Sequence, residues 1–399
     1  VVHTGDFKLD GSPVVGDPFD PEDWHRLARE AGQVRALVCD STNVFSHLPG
    51  RSEATLAKPI SELIAAQKGL VVATTFASNV ARLKTLAEAG VAAGRSICLL
   101  GRAMNKMVTA AAQTGVLTGF PQILSPEKAE DVPRGNLMLI VTGSQGERRA
   151  ASAQLARGKY LGHELSEGDT FLFSSKTIPG NEKGVIRIVN ALSEKGVDII
   201  DDRDGKYHVS GHANRPDLEA VHELINPVML IPMHGEHRHL REHSNIARDK
   251  GIGSRVVTNG MMVSLMGDVP EVVDQIEAGR TYLDGSVLIG AMDGVVRDRI
   301  RMALNGLVLT TVIVDEDDQP LGDPWVELLG LPEVGRSGKP FADQLEAELA
   351  EFLSNAPDKV LRDDEKLDEQ IKRIVRQIAL EEVGRKPEVT TVISRLVAE

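Results

Sequence analysis

The stretch NLMLIVTGSQGE (136–147) places a run of large apolar residues directly before a loop of small and hydroxyl residues. A strand that is apolar at every position is typical of a parallel sheet that is covered on both faces. The same kind of run recurs between about residues 34 and 236, in VRALVCD, GLVVATTF, SICLLG, DTFLFSS, VDIID and VMLIPMHGE. Segments with helical periodicity separate these runs, at 78–94, 103–115, 181–196 and 237–250. This alternation predicts an α/β fold.

The loops that follow the apolar runs carry small and hydroxyl residues. They are DSTN after 37–39, TFASN after 71–74, GRAMN after 97–100 and SSKTIPGN after 171–173. Anionic ligands bind at the carboxyl ends of parallel strands, close to helix N-termini. Each loop alone is equally typical of a helix cap or a turn. Their recurrence after successive strands favours a site for an anionic ligand.

Composition narrows the class of protein. The 399 residues are enough for two or three domains, with 42% hydrophobic and 26% charged residues. No apolar run reaches the roughly 18 residues of a membrane span, so we expect no membrane contact. The two cysteines, Cys39 and Cys98, lie in strand-like apolar runs, which is typical of buried thiols in a cytoplasmic protein. A formal net charge of −13 argues against binding nucleic acid through overall charge, but it leaves room for a local basic channel.

The pattern changes after residue 300. GLVLTTVIVD (306–315) and VTTVISRLV (389–397) are strand-like. Apolar residues at helical spacing lie between them: Phe341, Leu345, Leu349 and Phe352, then Leu367, Ile371, Val375 and Ile378. The second helix is expected to stop at Gly384. These features predict a small α+β domain with a core of its own.

Three residues stand out as candidates for chemistry. Asp6 follows a β-branched pair and a glycine in VVHTGDF, His212 follows a glycine in HVSGH, and His234 follows a nearly continuous apolar run in IPMHGE. A single histidine in such a position is more often structural. Three such positions in one α/β chain favour a functional site.

Taken in order, the motifs HTGDFKLD, DSTN, TFASN, TGSQGE, SSKTIPGN, HVSGH and MHGEHR resemble the ribonuclease J family. That resemblance covers essentially the whole chain. It implies a partial metallo-β-lactamase αββα sandwich with an inserted β-CASP α/β domain and a small α+β C-terminal domain. The implied boundaries are 1–48 together with 212–304 for the metallo-β-lactamase domain, 49–211 for the β-CASP domain and 305–399 for the C-terminal domain.

The resemblance also implies roles for individual residues. Asp6 matches an aspartate that bridges two metal ions, and His234 matches a histidine that ligates one of them. Asp40 matches the acidic residue that opens the β-CASP motifs, and His212 matches a histidine close to the scissile phosphate. The resemblance implies that both residues are catalytic. The residues implied to bind RNA form two segments: His208, Val209, Ser210, Gly211 and His212 in one, and Ser144, Gln145, Gly146 and Glu147 in the other.

The implied cofactors are two divalent metal ions, with zinc as the first choice and Mg or Mn as alternatives. Family members carry a His-x-His-x-Asp-His loop upstream of the segment that matches HTGDF, and these 399 residues contain no such loop. We therefore expect the chain to begin inside the metallo-β-lactamase domain and to hold an incomplete metal site. His239 and His243 are spaced to chelate zinc on one helix face. Their charged neighbours favour a solvated basic face instead.

The implied function is a metal-dependent ribonuclease of RNA processing and decay, acting both as a 5′–3′ exonuclease and as an endonuclease. One alternative is a non-catalytic RNA-binding or assembly subunit of a ribonuclease complex. A weaker alternative is a hydrolase of small phosphodiesters, which the β-CASP-like region disfavours. The implied partners are RNA and further copies of the chain, as a dimer or tetramer assembled through the C-terminal domain.

Overall fold

Each of the apolar runs named above forms a strand in the structure, a computed structural model that describes residues 1–396. The chain divides into two compact units, Val1–Ile276 and Glu277–Glu399. None of the described helices is long and apolar enough to cross a membrane. The α/β class predicted from the sequence is confirmed.

The first unit alternates strands and helices along most of its length. Its elements are β1 (Val2–His3), α1 (Pro21–Glu30), β2 (Ala36–Asp40), α2 (Ala57–Ala66), β3 (Val71–Thr74), α3 (Val80–Ala92), β4 (Ser96–Leu100), α4 (Arg102–Gln113), β5 (Ile123–Leu124), α5 (Pro126–Ala129), β6 (Leu137–Val141), α6 (Ala151–Arg157), β7 (Thr170–Phe173), α7 (Glu182–Ser193), β8 (Asp198–Ile200), α8 (Arg215–Ile225), β9 (Met229–Met233), α9 (His237–Asp249), β10 (Gly253–Ser254), β11 (Met261–Ser264) and β12 (Glu271–Gln275).

A four-stranded parallel sheet contains the strands that lead to the candidate residues. Its order is β1-β2-β9-β10, with Val2 opposite Leu37 and Asp40 opposite Met233. Leu37 and Leu230 are buried in a core that helices α8 and α9 cover. Because all four strands are parallel, the residues that follow β1, β2 and β9 meet at one edge of the sheet.

A second sheet has six parallel strands in the order β5-β4-β6-β3-β7-β8. Its strands lie between β2 and β9 in the sequence. Alternate residues of one strand face different cores. Val71 and Ala73 pack against α2 and α3, whereas Leu70 and Val72 belong to the core on the other face, which α6 and α7 cover. This arrangement explains why the strands are apolar at every position.

The second unit contains β13 (Thr281–Asp284), β14 (Val287–Gly290), α10 (Val295–Asn305), β15 (Leu307–Val314), β16 (Trp325–Leu329), α11 (Phe341–Asn355), α12 (Asp358–Leu361), α13 (Asp364–Val383) and β17 (Glu388–Arg395). A three-stranded sheet, β16-β15-β17, packs one face against α11 and α13. The α+β character predicted for this region is confirmed. Val397, at the end of the predicted strand 389–397, lies outside the described residues.

The sequence did not predict the short hairpins β11–β12 and β13–β14, nor helix α10. Most residues of these hairpins are exposed or half-buried, so hydrophobic periodicity gives little signal there. The domain boundaries given above remain predictions.

Candidate metal and phosphate site

Asp6, Asp40 and His234 meet at the carboxyl edge of the four-stranded sheet. Asp40 is the last residue of β2, His234 follows β9 directly, and Asp6 lies three residues beyond β1. His234 Nδ1 is 3.1 Å from Asp6 Oδ1 and 3.4 Å from Asp40 Oδ1. One ligand atom from each residue lies within 4.8 Å of the other two, as expected for groups that can share a metal ion.

The backbone at His234 is held in an uncommon conformation. Its φ of 62° lies in the left-handed region, which non-glycine residues rarely adopt. Gly235 follows with a φ of 77°, so the chain reverses sharply between β9 and α9. Such strain persists only where the surrounding structure enforces it, and it often marks functional sites. The turn directs the His234 ring towards the two carboxylates.

Asp40 is almost completely buried, with 1% of its side chain exposed. Its Oδ1 accepts hydrogen bonds from the Thr42 backbone N–H (3.0 Å) and the Thr42 hydroxyl (2.7 Å). Its Oδ2 lies 2.7 Å from His212 Nδ1. Burial alone would raise the pKa of Asp40, but the hydrogen bonds from His212 and Thr42 outweigh it and lower the pKa. Asp40 is therefore a carboxylate that contacts two histidines from distant parts of the chain.

His212 is ordered by the segment around it. The hydrogen bond to Asp40 raises the pKa of the His212 ring, although partial burial opposes the shift. Ser210 Oγ accepts the His212 backbone N–H at 3.1 Å. Asn43 donates from its side-chain amide to Ser210 Oγ at 2.9 Å and to the His212 carbonyl at 3.2 Å. Asn43 therefore connects the loop after β2 to the HVSGH segment, a role that the sequence did not reveal.

The other end of that segment rests on a buried arginine. Arg82 of α3 is fully buried and pairs with the Glu53 carboxylate, with Nη2 to Oε2 at 2.9 Å. Its Nη1 donates to the Ser174 carbonyl at 2.8 Å and lies 3.3 Å from His208 Nδ1. Burial and then the Arg82 charge lower the pKa of His208 to about 4. His208 is therefore neutral at pH 7. Arg82 was not singled out from the sequence because an arginine in a helix usually faces solvent.

The remaining predicted RNA-binding residues differ in accessibility. Val209 is buried and Gly211 is exposed. Ser144 and Gln145 are buried, Gly146 is half-buried, and Glu147 is exposed in the loop after β6. The Gln145 side chain donates to the Lys176 carbonyl at 3.0 Å and accepts from the Ile178 N–H at 2.8 Å. Gln145 therefore holds the loops after β6 and β7 together.

The zinc alternative on α9 finds no support. His243 is completely buried rather than on a solvated face. Its Nδ1 lies 2.9 Å from Ser41 Oγ and its Nε2 lies 3.0 Å from His222 Nε2, so both nitrogens have partners. His239 Nδ1 accepts the Glu236 backbone N–H at 3.0 Å. The expectation of a solvated basic face is wrong for His243, because the residue lies on the inner side of the helix.

Comparison with known proteins adds three family matches. Residues 68–192 match "Ribonuclease J, beta-CASP domain", residues 205–258 match "Zn-dependent metallo-hydrolase RNA specificity domain", and residues 294–396 match "Ribonuclease J C-terminal domain". A "Ribonuclease J" of Sinorhizobium meliloti is 37% identical over 397 residues, which cover 99% of this chain and 70% of that protein. The chain belongs to the ribonuclease J family.

Two further ribonuclease J proteins are more distant. Those of Corynebacterium glutamicum and Streptococcus pyogenes, the latter named "Ribonuclease J 1", are 34% and 33% identical and cover 84% and 80% of this chain. The chain spans 47% and 57% of their lengths, respectively. Membership of the family establishes the metallo-β-lactamase and β-CASP fold.

The donors at the sheet edge fit a divalent cation of the kind that the family match implies. Two carboxylates and one imidazole are suitable ligands for zinc and for harder divalent ions. The Asp6 and His234 side chains are 64% and 42% exposed, whereas Asp40 lies below them. A metal held by these atoms would therefore face the solvent side, where a substrate can reach it.

Proposed function

We propose that this chain forms part of a metal-dependent ribonuclease that hydrolyses RNA phosphodiesters as a 5′–3′ exonuclease and as an endonuclease, in RNA processing and decay. One observation carries the proposal: Asp40 touches both His212 of the HVSGH segment and His234 of the metal cluster. A single buried carboxylate therefore adjoins the group suited to a phosphate and the group suited to a metal.

Asp6 and His234 are the metal ligands in this proposal, and Asp40 is a third donor. We favour two divalent ions, with zinc as the first choice. When bound, such ions supply an activated water and neutralise charge on the phosphate. His239 and His243 take no part, since both ring nitrogens of the buried His243 are engaged within the protein and His239 Nδ1 accepts the Glu236 backbone N–H.

His212 stabilises charge on the scissile phosphate or assists departure of the leaving oxygen. The short contact to Asp40 fixes Nδ1 as the donating nitrogen and orients the ring. Nε2 has no hydrogen-bond partner among residues 1–396, so it is free for a substrate oxygen. A buried carboxylate that orients an imidazole in this way also stabilises its protonated form.

The neighbouring segments hold the RNA backbone. Asn43 and Ser210 fix the backbone of the HVSGH segment, and Arg82 supports it at His208. A neutral His208 binds a phosphate oxygen by hydrogen bonding rather than by charge. In the second RNA segment, Glu147 is exposed, Gly146 is half-buried, and Ser144 and Gln145 are buried.

The proposed domain boundaries gain support from contacts between distant residues. The Asn214 side chain donates to the Leu48 carbonyl at 2.9 Å, and the Gly50 N–H donates to Asp217 Oδ2 at 3.0 Å. The two ends of segment 49–211 therefore lie beside each other. This proximity supports the proposal of an inserted domain, 49–211, within a host domain of 1–48 and 212–304, and we propose 305–399 as the C-terminal domain.

We also propose that copies of the chain associate through the C-terminal domain, in a cytoplasmic protein whose two cysteines remain free and buried. Among residues 1–396, one face of the three-stranded sheet packs against α11 and α13. Its outer face carries exposed Ile313, Trp325, Leu329 and Val392. Exposed apolar residues gathered on one sheet face are typical of an interface between subunits.

The decisive experiment uses the natural polypeptide that contains these 399 residues. It should release nucleotides from 5′-monophosphorylated RNA only in the presence of a divalent ion. Substitution His212→Ala should reduce the rate by about 10²- to 10⁴-fold while RNA binding persists. RNA binding with no hydrolysis under any divalent ion would instead support the non-catalytic RNA-binding subunit.

A further inference from the structure

A cavity of about 640 Å³ opens at the carboxyl end of β4, outside the site described above. Its lining includes Gly101, Arg102, Asn105 and Lys106, from the GRAMN loop and the first turns of α4. Tyr160 and Leu161 also line it. The volume lies within the range of about 300–1,000 Å³ that small-molecule sites occupy.

The charge in this cavity is of one sign. The described residues that line it include two cations, Arg102 and Lys106, and no acidic side chain. Within residues 1–396, neither cation has a carboxylate oxygen within 4.0 Å, the distance at which an ion pair forms. An unpaired arginine and lysine beside a cavity suit an anionic ligand group.

The remaining lining provides apolar and aromatic surface. Leu99, Ile123 and Leu124 contribute aliphatic side chains, and Tyr160 contributes an aromatic ring. Aromatic side chains bind nucleobases by stacking, which is worth about 1–3 kcal/mol per base. A cavity lined by two cations and an aromatic residue fits a ligand that carries both a phosphate and a base.

The GRAMN loop packs closely against the residue that follows β6. Gly101 has a φ of 138°, and a Cβ atom there would lie 2.4 Å from Thr142 Cγ2. The Asn105 amide donates to the Leu99 carbonyl at 3.2 Å and to the Gly101 carbonyl at 3.1 Å. The strand end therefore remains fixed without any side chain at position 101.

The position in the sheet relates the cavity to the proposed RNA path. β4 is the direct neighbour of β6, whose loop carries Ser144–Glu147, and β6 is separated from β7 only by β3. Since neighbouring strands are about 4.8 Å apart, the carboxyl ends of β4 and β7 are about 14 Å apart. Ser174, directly after β7, accepts hydrogen bonds from Arg82 beside His208.

We propose that this cavity is a nucleotide-binding site, in which Arg102 and Lys106 bind the phosphate and Tyr160 contacts the base. The nucleotide is either one unit of an RNA strand that extends along the sheet edge from the HVSGH segment or a free mononucleotide. Its role for RNA rests on the proposed function above. Binding of a free mononucleotide does not.

The test is calorimetric titration of this chain with adenosine 5′-monophosphate, in the absence of divalent ions. The double variant Arg102→Ala/Lys106→Ala should bind about tenfold more weakly, because two charge-assisted contacts are lost. Lys68→Ala is the matched control. It removes an exposed, unpaired lysine just before β3, near the amino-terminal ends of the strands, whereas the cavity lies at a carboxyl end. To separate this cavity from the first site, the titration is repeated in a His212→Ala background, where the loss on double substitution should persist.

A second titration, with single-stranded RNA over a range of salt concentrations, distinguishes the two sources of nucleotide. If an RNA strand reaches the cavity, the double variant should reduce the slope of log K against log salt by about 0.7 per lost phosphate contact. An unchanged slope with weakened mononucleotide binding assigns the cavity to a free nucleotide. Mononucleotide affinity that is equal in the double variant and in Lys68→Ala would overturn the proposal, whether or not the natural polypeptide hydrolyses RNA.

Discussion

His212 Nδ1 lies 2.7 Å from Asp40 Oδ2, although 172 positions separate the two residues. The contact joins the end of β2 to the HVSGH segment. In the sequence, the strands of the six-stranded sheet lie between these two residues. Because Asp40 Oδ1 is also 3.4 Å from His234 Nδ1, one carboxylate links both parts of the candidate site.

Loss of a clustered donor should weaken metal binding. We expect Asp6→Ala and His234→Ala each to reduce the affinity of the chain for Zn²⁺ by at least about tenfold, since each removes one of three converging ligand atoms. Equilibrium dialysis with measurement of bound zinc checks this. Asp23→Ala, on exposed helix α1, is the control and should leave zinc affinity unchanged. Equal affinity in all three variants would exclude the cluster as a metal site.

Removal of Arg82 should destabilise the chain by about 3–5 kcal/mol, because it leaves the Glu53 carboxylate buried without a partner. Urea unfolding of Arg82→Met measures the change in the free energy of unfolding. The double variant Glu53→Gln/Arg82→Met should recover part of that loss, since no buried charge remains. Additive losses for the two substitutions would show that the pair does not interact.

The buried pair His222 and His243 should make stability depend on pH. Burial lowers the pKa of His222 from 6.5 to about 4 and that of His243 to about 3. The unfolded chain therefore binds more protons below pH 6.5, and the folded state loses stability as the pH falls from about 6.5 towards 4. Each histidine contributes up to about 1.4 kcal/mol per pH unit in that window.

The measurement is urea unfolding between pH 8 and pH 4.5. His222→Leu removes one of the two titrating rings and the buried His222 Nδ1, which has no hydrogen-bond partner among the described residues. This variant should show a shallower decline of stability with falling pH than the unsubstituted chain. Parallel curves for the two proteins would contradict the prediction.

Association through the C-terminal sheet should be sensitive to charge on its outer face. Trp325 is 51% exposed and Val392 is 43% exposed, and both are paired with Thr311 of the central strand. We expect Trp325→Lys or Val392→Lys to shift the protein to the monomer in sedimentation velocity. Gln377→Lys introduces the same charge on helix α13 and should leave the oligomer intact. A monomer before any substitution would contradict the proposed association.

The sequence was sufficient to predict the parts of the fold that hydrophobic patterning controls. Leu137–Val141 is apolar at every position because both faces of β6 are covered, and the other parallel strands follow the same rule. The hairpin strands at 261–290 were missed because exposed two-stranded ribbons carry no such signal. For the site, glycine-flanked Asp6, His212 and His234 were found as motifs.

The supports of the site could not be predicted in the same way. Arg82 looks like a surface residue of α3 until its partners Glu53 and Ser174 are brought to it by the fold. Asp40 was expected as a catalytic residue, and its approach to His234 depends on the pairing of β2 with β9. His243 is also buried, although its charged neighbours in sequence favour an exposed helix face. These roles come from contacts between residues far apart in the chain.

The most direct measurement is an anomalous scattering map, recorded at the zinc absorption edge, from crystals of the natural polypeptide with bound zinc and a non-hydrolysable RNA. Our account predicts a zinc peak about 2.0–2.2 Å from a carboxylate oxygen of Asp6 and a ring nitrogen of His234, with an RNA phosphate between that peak and the His212 ring. Zinc bound elsewhere, or a phosphate that lies away from His212, would contradict it.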